Sequence, residues 1–172
     1  RGNAVAKRGN SRVDADELRA LYRDRDGQSE IYRIIATGNV KLSSETDVAT
    51  GDQAIYDIDD AVVVLTGEDL QYKTPTETLT AEESLEYWET ERMAVARGNA
   101  VAVADDRTLR GDVLTARFEM GKNGENELSR IDGNGNVTIR TPTDFVVGNQ
   151  GVYDAKTGIA TLVGSVKITR GE

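Results

Sequence analysis

A glycine that returns in the middle of one apolar-alternating segment after another most restricts the fold of this chain. It opens Gly2-Asn3-Ala4-Val5, Gly38-Asn39-Val40-Lys41-Leu42 and Gly67-Glu68-Asp69-Leu70-Gln71-Tyr72, then Gly98-Asn99-Ala100-Val101-Ala102-Val103, Gly135-Asn136-Val137-Thr138-Ile139 and Gly164-Ser165-Val166-Lys167-Ile168. Successive glycines stand 36, 29, 31, 37 and 29 residues apart, a spacing typical of a repeated structural unit. A second element alternates with the first: a small residue, an acid or amide, and an aromatic soon after. Its copies are Ala15-Asp16 with Tyr22, Gly51-Asp52 with Tyr56, Ala81-Glu82 with Tyr87, Gly111-Asp112 with Phe118, and Gly148-Asn149 with Tyr153.

Turn-forming residues fall between these elements, at Ser44–Asp47, Asp57–Asp60, Thr74–Thr76, Glu89–Arg92, Asp105–Arg107, Gly121–Asn126, Thr141–Thr143 and Asp154–Gly158. The pattern predicts an all-β, antiparallel meander of roughly eleven long strands forming one domain over residues 1–172. Asp14–Arg25 and Thr80–Trp88 have helix-friendly composition but read as strands, because their counterparts do. A mid-strand glycine weakens a strand unless the backbone bends or bulges there. Bends at Gly38, Gly51, Gly67, Gly98, Gly111, Gly135, Gly148 and Gly164 would fold every strand over one crease. The result is two facing half-sheets, open at both ends, with the period-2 apolar residues inside. Val40, Leu42, Leu70, Tyr72, Val101, Val103, Val137, Ile139, Val166 and Ile168 are expected on that inner face, with Lys41, Gln71, Thr138 and Lys167 outside.

Composition removes whole classes of chemistry. The chain has no His and no Cys, which excludes Cys–His and Ser–His–Asp catalysis, disulfides and thiol redox chemistry. No metal site or other cofactor is expected. With 21 Lys and Arg against 30 Asp and Glu, the chain lacks the basic footprint that nucleic acid requires. Both ends fall in strand-like sequence and read as cut, so the missing leader is uninformative about compartment.

The residues also match something known. Ala36–Leu42 and Asn134–Ile139, with Gly51–Asp57 and Gly148–Ala155 and the following Leu65-Thr66-Gly67 and Leu162-Val163-Gly164, resemble the OstA/LptA family. The resemblance spans essentially the whole chain. It implies a folded β-jellyroll of the periplasm whose apolar groove shields the lipid A acyl chains of lipopolysaccharide. It also implies edge-to-edge assembly, head-to-tail with further copies and with the jellyroll domains of inner-membrane LptC and outer-membrane LptD. LptC-like proteins share the repeat, so the member within the family stays open. Gly121–Asn126 lengthens one repeat and departs from the pattern.

Burying a methylene contributes ~0.8 kcal/mol, so a chain of about a dozen carbons could gain on the order of 10 kcal/mol before entropy losses. Grease suffices for binding, and no enzymatic activity is expected. An acidic protein leaves an anionic head group in solvent; Lys41, Lys73, Arg97, Arg140 and Lys167 could touch its phosphates, but read more simply as solvated cations. The first and last strands, Gly2–Ala6 and Val163–Thr169, contain no Pro and suit β-augmentation. A bactofilin-like scaffold with a dry core is the competing reading. Asp132–Asn136 resembles a calcium loop, but Val137 and Thr143 stand where its Gly and Glu belong. Asp57, Asp59, Asp60, Asp105 and Asp106 read as solvated turn residues, and Trp88 as a half-buried cap.

Overall fold

The computed structural model describes residues 3–122, 124 and 126–171; Gly2 of the first repeat and part of the Gly121–Asn126 loop lie outside them. The described residues contain no helix. Fifteen strands form one antiparallel sheet. They are β1 (Ala4–Arg8), β2 (Ser11–Ala15), β3 (Glu17–Arg25), β4 (Gln28–Ser43), β5 (Val48–Asp57), β6 (Val62–Thr66), β7 (Leu70–Lys73) and β8 (Glu77–Ala81), then β9 (Ser84–Trp88), β10 (Met93–Ala104), β11 (Arg107–Met120), β12 (Asn126–Arg140), β13 (Asp144–Asp154), β14 (Ile159–Val163) and β15 (Lys167–Arg170).

The meander makes eleven passes. Six long strands, β4, β5 and β10 to β13, run through the crease unbroken. Four other passes break there, into β2/β3, β6/β7, β8/β9 and β14/β15. One half-sheet therefore carries β3, β6, β9 and β14, and the other β1, β2, β7, β8 and β15, with each long strand contributing to both.

The crease has a repeated construction. In β4 and β5, Thr37 pairs with Gln53 and then Val40 with Gly51, so Gly38 and Asn39 oppose Asp52 alone. Gly98 and Asn99 oppose Asp112 in the same way, and Gly135 and Asn136 oppose Asn149. These are two-against-one bulges, which bend a strand sharply. Gly38 takes φ +79° and Asn39 φ +48°, left-handed values that suit glycine first and asparagine next. Asp16 sits over Gly38: its backbone N–H donates to the Gly38 carbonyl at 2.8 Å, and its carboxylate accepts from Asn39 Nδ2 at 2.8 Å. The corner recurs with Glu82 and Asn99 (3.0 Å) and with Asp112 and Asn136 (3.0 Å), and at Gly67, where Asp52 accepts the Glu68 N–H at 2.7 Å. The two sequence elements are thus partners, one supplying the bend and the other the acid or amide beside it.

This corrects one part of the sequence reading. Gly38, Gly67, Gly98, Gly135 and Gly164 have positive φ, whereas Gly51, Gly111 and Gly148 do not. These three face inward and are small because large neighbours fill their space. A Cβ on Gly51 would lie 2.8 Å from Leu70 Cδ2 and 2.9 Å from Leu65 Cγ. Their role is packing. The cross-strand row Val40–Gly51–Leu70–Ala81–Ala100–Gly111–Val137–Gly148 places only glycine or alanine beside each large residue, so that the half-sheets can close on each other.

Two such rows flank the crease and form the core. Ala36, Ala54, Leu65, Leu85, Ala96 and Leu114 on one half-sheet pack against Val40, Leu70, Ala81 and Ala100 on the other. Leu70 is 1% exposed, so Leu70→Ala is expected to cost about 3 kcal/mol of unfolding free energy in denaturant titration.

Candidate functional site

Facing pairs in an antiparallel sheet share a face, so the register identifies which side chains look into the fold. Beyond the packed rows lies a second inward row on each half-sheet, nearer the turns. On one it runs Val13–Leu42–Ala49–Tyr72–Leu79–Ala102–Leu109–Ile139–Val146–Ile168. On the other it includes Ile34, Tyr56, Val63, Tyr87, Ala94, Ala116, Ile131 and Tyr153. These residues face one another across the space opposite the crease. The rows beside the crease are buried, whereas the residues of this second pair are half-buried and Ile168 is exposed. The inner face is therefore buried beside the crease, apolar on both half-sheets, and progressively more exposed toward the turns.

The expected inner residues divide accordingly. Val40, Leu70 and Val137 lie in the buried row beside the crease, at 1%, 1% and 0% exposure. Leu42, Tyr72, Ile139 and Ile168 lie in the open inward row. Val166 lies between strands at the C-terminal margin and is 44% exposed.

Val101 and Val103 are misplaced by the sequence reading. Val101 pairs with Thr80 and Arg110, in the outward row that also holds Lys41, Gln71, Thr138 and Lys167, and Val103 is 40% exposed. The bulge resets the phase, so the first inward residue is two past the glycine whatever its bulk. At Gly98 that residue is Ala100, followed by Ala102. Leu70 is three past Gly67, because Gly67, Glu68 and Asp69 all oppose Asp52.

The second wall was not recognised from sequence, although its signal was present. Counting two and four residues back from each corner glycine reaches Ala36 and Ile34, Leu65 and Val63, Ala96 and Ala94, Gly133 and Ile131, and Leu162 and Ala160.

Charged groups stay on the outer face and at the turns. Arg97 pairs with Glu86 at 2.6 Å, and Glu86 also accepts from Trp88 Nε1 and the Ser84 hydroxyl, each at 3.1 Å. Burial raises the Glu86 carboxyl, but Arg97 and these donors outweigh it and hold the group below its usual value. Trp88 is half-buried beside Val62 and Met93. Arg23 bridges Asp59 and Glu30, and Arg33 pairs with Asp57 at 2.6 Å, so Asp57 and Asp59 of that turn serve as ion-pair partners. Arg140 lies over the Phe145 ring at 5.6 Å, and Asp132 is held by Arg130. Asn136 has its amide engaged by Asp112.

Among the described residues, no helix is long and apolar enough to cross a membrane, and no group of three acidic residues is placed to hold a metal ion.

Residues 1–83 match the family described as LptA/(LptD N-terminal domain) LPS transport protein. Among solved structures, the chain is similar to LptH, the LptA homologous periplasmic component of the conserved lipopolysaccharide transport device from Pseudomonas aeruginosa. The identity is 12%, the TM-score 0.36, and the match covers 94% of this chain and 95% of that one. No curated protein matches the sequence.

Proposed function

We propose that this chain, whose residues 1–83 match the family described as LptA/(LptD N-terminal domain) LPS transport protein, binds lipopolysaccharide by enclosing the acyl chains in a trough between the two half-sheets. The observation that supports this most directly is the gradient of burial across the inner face. A dry sandwich would bury its inward rows from crease to turn; here only the rows beside the crease are buried. The uncovered rows carry Leu42, Tyr72, Leu79, Leu109 and Ile139 on one side and Tyr56, Val63, Tyr87 and Ile131 on the other. An acyl chain laid between them removes apolar surface from water on both walls at ~25 cal/mol per Å².

The net charge of −9 disfavours drawing in an anionic head group, which stays outside the trough. The protein acts in the periplasm and catalyses no reaction; movement of lipid along it depends on a motor elsewhere. It joins the homologous jellyroll domains of LptC and LptD edge to edge, and residues 1–172 behave as one folding unit. That last point predicts a single cooperative transition in which far-ultraviolet and tyrosine signals change together.

A photo-crosslinking amino acid at Ile139, with a matched probe at Lys41, tests the trough directly. Lipopolysaccharide adducts are expected from Ile139 and none from Lys41. Folded protein that yields no adduct from Ile139 would refute the trough and favour the self-assembling scaffold.

A further inference from the structure

Two tyrosines near the mouth of the trough hold their hydroxyls in opposite hydrogen-bonding states. Tyr72 lies on one wall between Ala49 and Leu79, and donates its proton to Asp47 Oδ2 at 2.8 Å. Asp47 sits in the turn at the rim, and its other oxygen accepts from the Thr46 hydroxyl at 2.7 Å. With its proton engaged, the Tyr72 oxygen presents only lone pairs to the trough. Burial first, and then the bond to Asp47, push the Tyr72 phenol up, with smaller contributions from Glu77 and Tyr87. Tyr87 lies on the other wall between Val63 and Ala94, and accepts from Asn126 Nδ2 at 2.9 Å. That bond leaves its own O–H to donate. One wall thus presents an acceptor and the other a donor.

We propose that Tyr72 and Tyr87 together select acyl chains joined to their head group through an amide. An amide offers one N–H and one carbonyl at the point where chain meets head group. The N–H meets the Tyr72 oxygen, and the carbonyl receives the Tyr87 hydroxyl. An ester satisfies only Tyr87, and an ether, lacking the carbonyl, offers Tyr87 only its weaker linking oxygen. The selection rests on the reading of the trough as an acyl-chain site, which supplies most of the affinity without distinguishing the three linkages.

The test uses three single-chain amphiphiles of equal chain length and identical head group, joined by an amide, an ester or an ether, titrated into the full chain by calorimetry. The native protein is expected to bind amide over ester, and ester over ether, by about fivefold at each step, the worth of one net hydrogen bond. Tyr72→Phe should erase the amide-over-ester step and leave the other. Tyr87→Phe should erase the ester-over-ether step. A near-ultraviolet circular dichroism spectrum and a thermal midpoint matching those of native protein report that each variant is folded. Equal binding of all three by native protein, or steps that persist in the Phe variants, overturns the selection while leaving the trough. Failure of all three amphiphiles to bind overturns the trough and the selection with it.

Discussion

Gly38→Ala is expected to lower the unfolding free energy by about 3 kcal/mol, a large fraction of the stability of an ordinary domain. Two terms combine. The residue sits at φ +79°, where any side chain costs ~1 kcal/mol or more. Its new Cβ would also lie 2.9 Å from Asp16 Cβ and 3.0 Å from Asp16 Cγ, inside normal contact. Asp16 cannot retreat freely, because it is tied to Asn39 through its carboxylate and to the Gly38 carbonyl through its N–H. Gly27 provides the control. It has φ +77°, but a methyl group there would meet nothing within 4 Å, so Gly27→Ala should show the backbone term alone, ~1 kcal/mol. Asp16→Gly placed in the Gly38→Ala background should recover part of the difference. Equal costs at residues 27 and 38 in urea titration would refute the tight corner, and with it the account of why glycine recurs in this chain.

The same corner explains what the sequence could and could not reveal. The crease was legible because it needs glycine at one site on each pass, and a residue type with so narrow a conformational excuse stands out when it repeats. The half-sheets followed, since alternating apolar residues on both sides of a bend have only the inside to occupy. The phase after the bend was harder. Val101 and Val103 are more apolar than Ala100 and Ala102, and hydrophobicity alone favours the valines. The backbone decides otherwise: two residues consumed by the bulge put Ala100 inward, where it is fully buried. Gly51, Gly111 and Gly148 were misassigned for the complementary reason. Glycine is required both where φ is positive and where a neighbour fills the space of a side chain, and composition does not separate the two. Asp16, Asp52, Glu82 and Asp112 were visible as a repeated element, yet their partners are set by strand pairing, which a single strand's pattern does not contain.

Ile168→Lys is expected to abolish end-to-end association while leaving the fold intact. Among the described residues the sheet does not close: β14 and β15 pair only with β13, and at the other end β1 pairs only with β2, and β3 only with β4. Each pair of end strands therefore has one unpaired side, of the kind that admits a further strand. At the C-terminal edge Ile159, Val163 and Ile168 are 60%, 51% and 62% exposed. Ile168 ends the open inward row, and Ala6, through its pairing with Val13, begins it at the opposite edge. Stacking one copy on another would set Ile168 against Ala6, prolonging the trough from protomer to protomer. Since Ile168 is exposed in the single chain, lysine there should change folding stability by no more than about 0.5 kcal/mol. In the joint it would put an unpaired charge between apolar neighbours, at a cost of several kcal/mol, weakening association more than about a hundredfold by the same free-energy scale. Light scattering across a concentration series reads the mass directly: native protein should grow with concentration, and the lysine variant should stay at one chain. Removing residues 164–172 should do the same by deleting β15. Assembly that survives both changes would mean that copies join through another surface, and the trough would then end within each protomer.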